Sequence, residues 1–590
     1  MYRVAIGLII FIAYLLPRPV QGQSYTSYSF SPKYEFRGVW ITTVYGSIWP
    51  KSKYPREQRL ELINIYQTVR LNNLNAVVFQ VRARGDVMYP SQFEPFASSV
   101  TGVLGGKPDY DPLKFAIEEA HKFGLEFHAW WNVCKVADGE NPPPLTSPAH
   151  IAHTHPEWLK RWRNKNGNGN GSVEWWLDIG YPQVRARLID IAMELVEKYD
   201  IDAINFDYLR YPGPEFDDYS SYAVYGGSLS RDEWRRLNVT SFLREFYKRA
   251  TAVKPLLKIG AAPIGIYKNL PEASGWQSYS LLYQDTRQWL REGIVDYIIP
   301  QLYWELYSNP RFSVLLRDWQ DNSWGRHVYA GIGAFRPGIP QQIPAMIDSV
   351  RVIGAGGECY FTYNDVKDVA VFRNRYSKPA LIPPMRWKYT LPPGTPKNLR
   401  VKEVSAGMFT LEWDPPSSAT EEYAPQRYAI YRSISPTIDI STSECFVAVT
   451  SGLQTAFTDI IDRPTALKYF YVVTAFDKAN IESQPSNITT AEFQEAVVMR
   501  QYFEPKTMLA QNIPNPMDRK TYIAYQLAQP SQVSLQLFDE NGNYIETVVN
   551  EMQDAGSFVV PLYRLKLVKG SYRYTLKTEK ETISKYMTVR

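Results

Sequence analysis

Cysteine is almost missing from this chain: Cys134, Cys359 and Cys445 are all that 590 residues contain. That excludes a disulfide framework. Histidine is scarce too, and its one cluster, His150, His153 and His155, lacks a paired carboxylate spacing, so it reads as a lid loop and no metal is expected. There is no glycine-rich phosphate loop, no Gly-x-Ser-x-Gly elbow and no Cys-His pairing, and no cofactor is expected. Charge never gathers into a block, and a net +5 over the whole length suggests neither nucleic acid nor an anionic membrane surface. Long apolar runs are absent apart from Val4–Leu16, which follows Arg3 and precedes Val20-Gln21-Gly22. That run is shorter than the ~20 residues a spanning helix needs, so residues 1–22 read as a cleaved secretory signal. An export signal with so few cysteines fits a bacterial envelope protein.

Aromatic residues are plentiful, with 16 Trp and 42 Tyr, and flat rings serve either as core or as platforms for the apolar faces of sugars. More telling are eight strand-like runs: Glu35–Tyr45, Asn75–Arg82, Leu125–Asn132, Asp202–Arg210, Lys258–Gly265, Val295–Trp304, His327–Phe335 and Gly356–Asn364. Amphipathic stretches such as Gln58–Asn72, Pro112–Phe123, Val184–Lys198, Arg231–Val253 and Gln341–Ile353 lie between them. Strand alternating with helix implies a parallel sheet, and eight strands close a (β/α)8 TIM barrel over residues 35–377. In such barrels the chemistry sits at the C-terminal strand ends.

Past the barrel a proline-rich passage, residues 378–396, reads as a linker. Short alternating strands follow over 397–492 and again over 505–590, so the expected α/β barrel is followed by two all-β immunoglobulin-like sandwich domains. Leu411-Glu412-Trp413-Asp414-Pro415-Pro416, Tyr428-Ala429-Ile430-Tyr431-Arg432 and Tyr469–Ala475 resemble a fibronectin type III domain. The opening Asn512-Ile513-Pro514-Asn515-Pro516 and the ending Lys585-Tyr586-Met587-Thr588-Val589-Arg590 resemble the C-terminal sorting domain of type IX secretion substrates. This resemblance implies a Gram-negative, Bacteroidetes-type cell, the secretion machinery as a partner, and a barrel working outside the cell, on the outer-membrane surface or in the periplasm.

Period-two parity sorts each strand into an inward and an outward set. Gln80, Arg82 and Arg84 then share a face with Asp86; Glu126, His128, Trp130 and Asn132 share another; so do Asn205 and Asp207, and Gln301, Tyr303 and Glu305. Four strands therefore point polar residues at one mouth. Asp207 is the leading candidate acid, because it ends an apolar strand and precedes Tyr208-Leu209-Arg210-Tyr211-Pro212, whose Arg and Tyr can set its charge and orientation. Glu305, behind Tyr303 and Trp304, and Asp86, behind Arg84, are the candidates for a second carboxylate. Arg82 and Arg84 read as substrate ligands, as tuners of Asp207 or as ion pairs within the barrel. Glu126 reads as a buried partner of an arginine, and His128 either as a rim residue or as a satisfied core histidine. Gly331 and Gly333 read as allowing close packing or room above the barrel.

At these residues the barrel resembles the glycosyl-hydrolase-like-ten (domain of unknown function 187) family. The matching stretches are Glu35–Trp40, Phe79–Asp86, Glu118–His121 with Gly124–Asn132, Trp176–Gly180, Phe206–Pro212 and Pro300–Trp304, spread from Glu35 to about Pro384. The resemblance implies glycoside hydrolysis, and some relatives cleave peptide-free peptidoglycan glycan strands. Where many relatives carry two acids, this chain has Asp207-Tyr208. The expected substrate-binding set is Arg37, Trp40, Gln80, Arg82, Arg84, His128, Asn132, Arg210, Tyr211, Gln301, Tyr303 and Trp304. The expected function is an exported hydrolase of O-glycosidic bonds in a polysaccharide, working through two carboxylates. The alternative is a surface carbohydrate-binding protein without catalysis.

Overall fold

The computed structural model describes residues 31–493 and 506–590, apart from 147, 165–170, 373, 390, 406, 418–423, 453, 462–465 and 565–566. The expected signal segment at 1–22 lies outside the described residues. Eight parallel strands form a barrel: Phe36–Ile41, Ala76–Arg82, Glu126–Asn132, Ala203–Asp207, Lys258–Ala261, Tyr297–Ile298, a seventh split at Tyr329 into His327–Val328 and Ala330–Ile332, and Gly357–Tyr360. The split closes the ring, because the first half of the seventh strand pairs with the sixth and the second half with the eighth. Gly331 and Gly333 permit that closure. A Cβ on Gly331 would stand 2.5 Å from the Pro300 carbonyl oxygen, and one on Gly333 would stand 2.8 Å from the Tyr303 side chain.

The helices start where the sequence supplies starting signals. Pro55, Pro112 and Pro182 open Pro55–Leu71, Pro112–Lys122 and Pro182–Lys198, where a missing N–H costs nothing, and Ser230 with Glu233 forms a capping box on Arg231–Val253. Phe312–Asp321 fills the gap in which no helix pattern stands out from the sequence. Two apolar layers result. Val77, Phe79, Ile204 and Phe206 pack outward against the helices, while Phe36, Trp40, Val78, Trp130, Tyr297 and Tyr329 fill the barrel.

Beneath the barrel, the passage expected to be a linker is a plug. Ile382 and Met385 join the interior cluster, Leu381 N–H donates to the Lys33 carbonyl at 2.8 Å, and Trp387 Nε1 donates to Asp296 at 2.9 Å. Its prolines stop helix and strand, but its apolar side chains still find a dry floor to cover. Two all-β units follow, each made of a three-stranded and a four-stranded antiparallel sheet. In the first, Leu411 and Trp413 of one sheet pack on Tyr428, Ile430 and Tyr471 of the other. This unit sits against the floor of the barrel: Arg427 Nη2 donates to Glu126 Oε1 at 2.7 Å, and Met385 N–H donates to the Ala479 carbonyl at 2.8 Å.

A three-stranded antiparallel sheet, Lys135–Asp138, Ser172–Leu177 and Leu159–Asn164, is inserted after the third barrel strand. It rises beside the C-terminal mouth and frames the site.

Candidate functional site

Asp207 closes the fourth strand at the mouth. Its neighbours alternate as parity requires, with Ile204 and Phe206 in the outer core and Asp207 itself only 6% exposed. Its Oδ1 accepts from Tyr208 N–H at 2.7 Å and from Gln301 Nε2 at 3.3 Å, and its Oδ2 has no hydrogen-bond partner among the described residues. Tyr208 takes φ +53°, a left-handed turn that carries the chain off the strand and across the mouth. Burial raises the Asp207 pKa above the ordinary carboxylate value, with the Arg210 guanidinium the main opposing influence. A carboxyl group held in that way keeps its proton to a higher pH than a free one and can deliver it.

Around Asp207 stand buried polar atoms without hydrogen-bond partners: Asn132 Oδ1, both side-chain atoms of Asn205, Trp40 Nε1, Trp130 Nε1, and Nε and Nη1 of Arg210. Orphaned buried groups cost about 1–3 kcal/mol each, so their collection at one place asks for a functional reason.

The inserted sheet adds an ion-pair chain to the rim. Arg84 Nε is bonded to Asp138, Lys135 Nζ bridges Asp138 at 2.8 Å and Glu174 at 2.7 Å, and Glu174 also accepts from Trp176 Nε1 at 2.8 Å. Lys135 thereby stands between two cavities. One, of about 450 Å³, is lined by Tyr45, Arg84, Asp86, Asp138 and His150. The other, of about 590 Å³, is lined by Trp162, Glu174, Trp176, Tyr208, Arg210 and Trp276 among others. Asp86 accepts from Arg84 N–H at 2.8 Å, and burial raises its pKa.

The expected residues divide by position. Asp207, Gln301, Asn132, Arg84 and Arg210 come together at the mouth; Asn132 lies directly across the ladder from Asp207, and Tyr303 packs 5.7 Å from Phe361 beside them. Trp40 lies inside the barrel against Trp130. Asp86 faces the smaller cavity. Glu305 is exposed on the loop after the sixth strand, accepting from Gln342 Nε2 at 3.3 Å.

Others lie elsewhere. Arg37 is on the outward face at the opposite end of the barrel, paired with Glu35 at 2.7 Å. Gln80 is spent holding a loop, its Oε1 accepting from Thr43 and Val44 N–H at 2.9 Å each. Arg82 is fully buried against Glu94 and over Trp131, because a register shift between Gln80 and Arg82 breaks the parity that would have put it on the rim. His128 is a core histidine, bonded to Glu126 at 2.9 Å and to Tyr297 at 2.8 Å. Tyr211 is buried among Phe216, Tyr283 and Asn238. Trp304 packs on the outer core beside Gly265. His150 is no part of a free lid: its Nε2 meets the Arg84 carbonyl at 2.7 Å. Among the described residues no His, Cys, Asp and Glu are grouped as a metal site would need.

Lys135, Asp138, Trp162, Glu174, Trp176 and Trp276 are functional candidates that the strand reading passed over. A signal existed for three of them, Trp162, Glu174 and Trp176: Asn166-Gly167-Asn168-Gly169 reads in the sequence as a turn signal between two aromatic-bearing runs.

The chain is a glycoside-hydrolase-like barrel protein, with a buried, partly unbonded acid at the C-terminal mouth of its eight strands. More particularly, the chain belongs to the glycosyl hydrolase-like 10 family, which residues 35–345 match. It is 32% identical over 493 residues to "Glycosyl hydrolase YngK" of Bacillus subtilis, covering 77% of this chain and 93% of that one. It is 31% identical over 337 residues to "Glycosyl hydrolase DigH" of Escherichia coli K12, covering 52% of this chain and 75% of that one. Among solved structures, an endo-beta-1,4-mannanase from Thermotoga petrophila aligns over 95% of this chain and 98% of that one at 10% identity, with a TM-score of 0.36.

Proposed function

We propose that the protein is an exported glycoside hydrolase that cleaves O-glycosidic bonds of a polysaccharide, with peptide-free peptidoglycan strands the first substrate to test. The observation that carries the reading is Asp207: buried, at a strand end facing the mouth, with a raised pKa and with Oδ2 left unbonded. In this mechanism Asp207 gives its proton from Oδ2 to the leaving oxygen, while Tyr208 N–H and Gln301 fix Oδ1 and so aim the group. The second carboxylate is Asp86 or Glu305. Asp86 is favoured, because Arg84 acts on both Asp86 and Asp207, whereas Glu305 stands out in solvent. A retaining enzyme needs about 5–5.5 Å between its two acids and an inverting one about 6.5–9.5 Å.

The fibronectin type III likeness of 397–492 and the sorting-domain likeness of 505–590 support export through the type IX machinery of a Gram-negative cell, as does the apolar run at Val4–Leu16. The test is to incubate the full chain with peptide-free peptidoglycan strands and a panel of neutral glycans, follow the products by mass spectrometry, and repeat with Asp207→Asn, Asp86→Asn and Glu305→Gln. Products that vanish with Asp207→Asn, and with one of the other two, support the reading and name the pair. Saturable binding with no product from any glycan would replace it with a surface carbohydrate-binding protein.

A further inference from the structure

The larger cavity beside Asp207 combines rings with one cation that no ion pair holds among the described residues. Trp162, Trp176, Tyr208 and Trp276 supply the rings, Glu174 and Arg210 the charges. The two charges are held very differently. Glu174 is neutralised by Lys135 at 2.7 Å and accepts a further hydrogen bond from Trp176 at 2.8 Å. Arg210 is 7% exposed, no ion pair holds it among the described residues, and its Nε and Nη1 are buried without a hydrogen-bond partner. Its guanidinium lies 4.9 Å from the centre of the Tyr208 ring and 5.4 Å from that of Trp276. Aromatic rings attract a guanidinium through its flat face, which leaves the N–H edge for hydrogen bonds.

With Glu174 paired to Lys135, Arg210 is the charge of the cavity wall that no ion pair holds; Asp207 feels it through space but is hydrogen-bonded by Tyr208 N–H and Gln301 instead, and in the Asp207→Asn background that carboxylate is gone. A sugar bearing hydroxyls alone would leave the Arg210 charge without an ion pair. A carboxylate matches it in sign and in geometry, since its two oxygens accept parallel N–H bonds from one guanidinium edge. The surrounding rings suit the apolar face of a pyranose. We infer that this cavity is a subsite for a sugar carrying a carboxylate, with Arg210 bonding the carboxylate and Trp162 and Trp276 stacking against the ring. The inference rests on the reading of the mouth as a glycan site, but not on hydrolysis. A uronic acid and a sugar with a lactyl ether both carry such a group, and the test separates these two.

Calorimetric titration of the full chain, in the Asp207→Asn background so that ligands survive, would use four probes: a peptide-free N-acetylglucosamine–N-acetylmuramic acid tetrasaccharide, the same molecule with its carboxyls reduced to alcohols, chitotetraose, and tetragalacturonate. The expected result is that the muramyl tetrasaccharide or the galacturonate binds about 10- to 100-fold more tightly than the neutral probes. Arg210→Gln should abolish that margin and Arg210→Lys should keep part of it. Whichever acid sugar binds identifies the kind. Equal affinity for the muramyl tetrasaccharide and its reduced form, with galacturonate no better than chitotetraose, overturns the inference, and this comparison stands even if the Arg210 variants fail to fold. If the wild type then still cleaves glycans, hydrolysis survives without the acidic subsite. Selective binding with no cleavage by the wild type removes hydrolysis and leaves the subsite.

Discussion

The two ends of the barrel treat buried polarity in opposite ways. At the N-terminal floor, Glu126 is met by Lys258 at 2.6 Å and Arg427 at 2.7 Å, Glu35 by Arg37 and Arg351 at 2.7 Å each, Asp202 by His121 at 2.8 Å, and Asp296 by Lys388 at 2.8 Å. Atoms left over there, such as Arg37 Nη2 and Glu358 Oε2, belong to groups whose other atoms are bonded. At the C-terminal mouth the whole Asn205 amide stands unpaired, together with two nitrogens of Arg210, which no ion pair holds among the described residues, and one oxygen of Asp207.

The acids follow suit. Burial pushes Glu126, Glu35 and Asp202 up, but their cationic partners outweigh it and hold all three low, whereas for Asp207 and Asp86 burial wins. Glu358 is the floor's exception, raised by burial and by the Glu35 charge. Paired charge of this kind specifies a structure, and unpaired polarity awaits a ligand.

Experiments can break that contrast. The largest effect expected is from Asp207→Asn, which should lower kcat/KM by about 10²- to 10⁴-fold. Thermal melting at neutral pH should stay level or rise, since a desolvated carboxyl is replaced by a neutral amide. A matching fall in melting temperature would make Asp207 part of the scaffold. At the other end, Glu126→Gln strips a countercharge from Lys258 and Arg427 and should cost about 3–5 kcal/mol of unfolding free energy in denaturant titrations, while the folded fraction keeps its activity.

Acid should separate the ends further. The stability contributed by Glu126, Glu35 and Asp202 is present above the ordinary carboxylate range near pH 4 and is lost as pH falls through their lowered values. Asp207 and Asp86 run the other way, contributing fully below that range and losing their contribution as pH rises through their raised values. Acid unfolding should therefore be delayed to lower pH by nothing done at the mouth, and Glu126→Gln should flatten it. In the pH profile of kcat/KM, the falling limb on the basic side should lie above the ordinary carboxylate range. Arg210→Gln should move that limb up by about one unit or less, because Arg210 is what holds Asp207 down. The smallest effect belongs to Trp276→Ala, a residue 39% exposed, which should weaken glycan binding by ~1 kcal/mol and leave melting unchanged.

Much of the barrel was legible because parity and spacing are local. All eight runs contain a strand, and Asp207 falls where an apolar alternation ends at the mouth. Parity reports the face of a strand but not the depth. His128 and Asn132 share the inward face, yet one is bonded into the floor and the other reaches the mouth. Arg82 differs for another reason, since an irregularity in the ladder between Gln80 and Arg82 turns its side chain away from the face that parity assigns. An arginine is among the partners of Glu126, as the strand alone suggested, beside Lys258 and His128, but that it comes from the sandwich could not be read, because no local pattern reports a contact across 301 residues.

That separation also sets an order of events. A chain is made from its N-terminus, and domains tend to fold as they emerge. Glu126 and Lys258 are therefore in place well before Arg427 has been synthesised, and the last countercharge of the barrel floor arrives with a later domain. Truncation at the proline-rich plug would leave a protein with every strand of its barrel and an incomplete foundation.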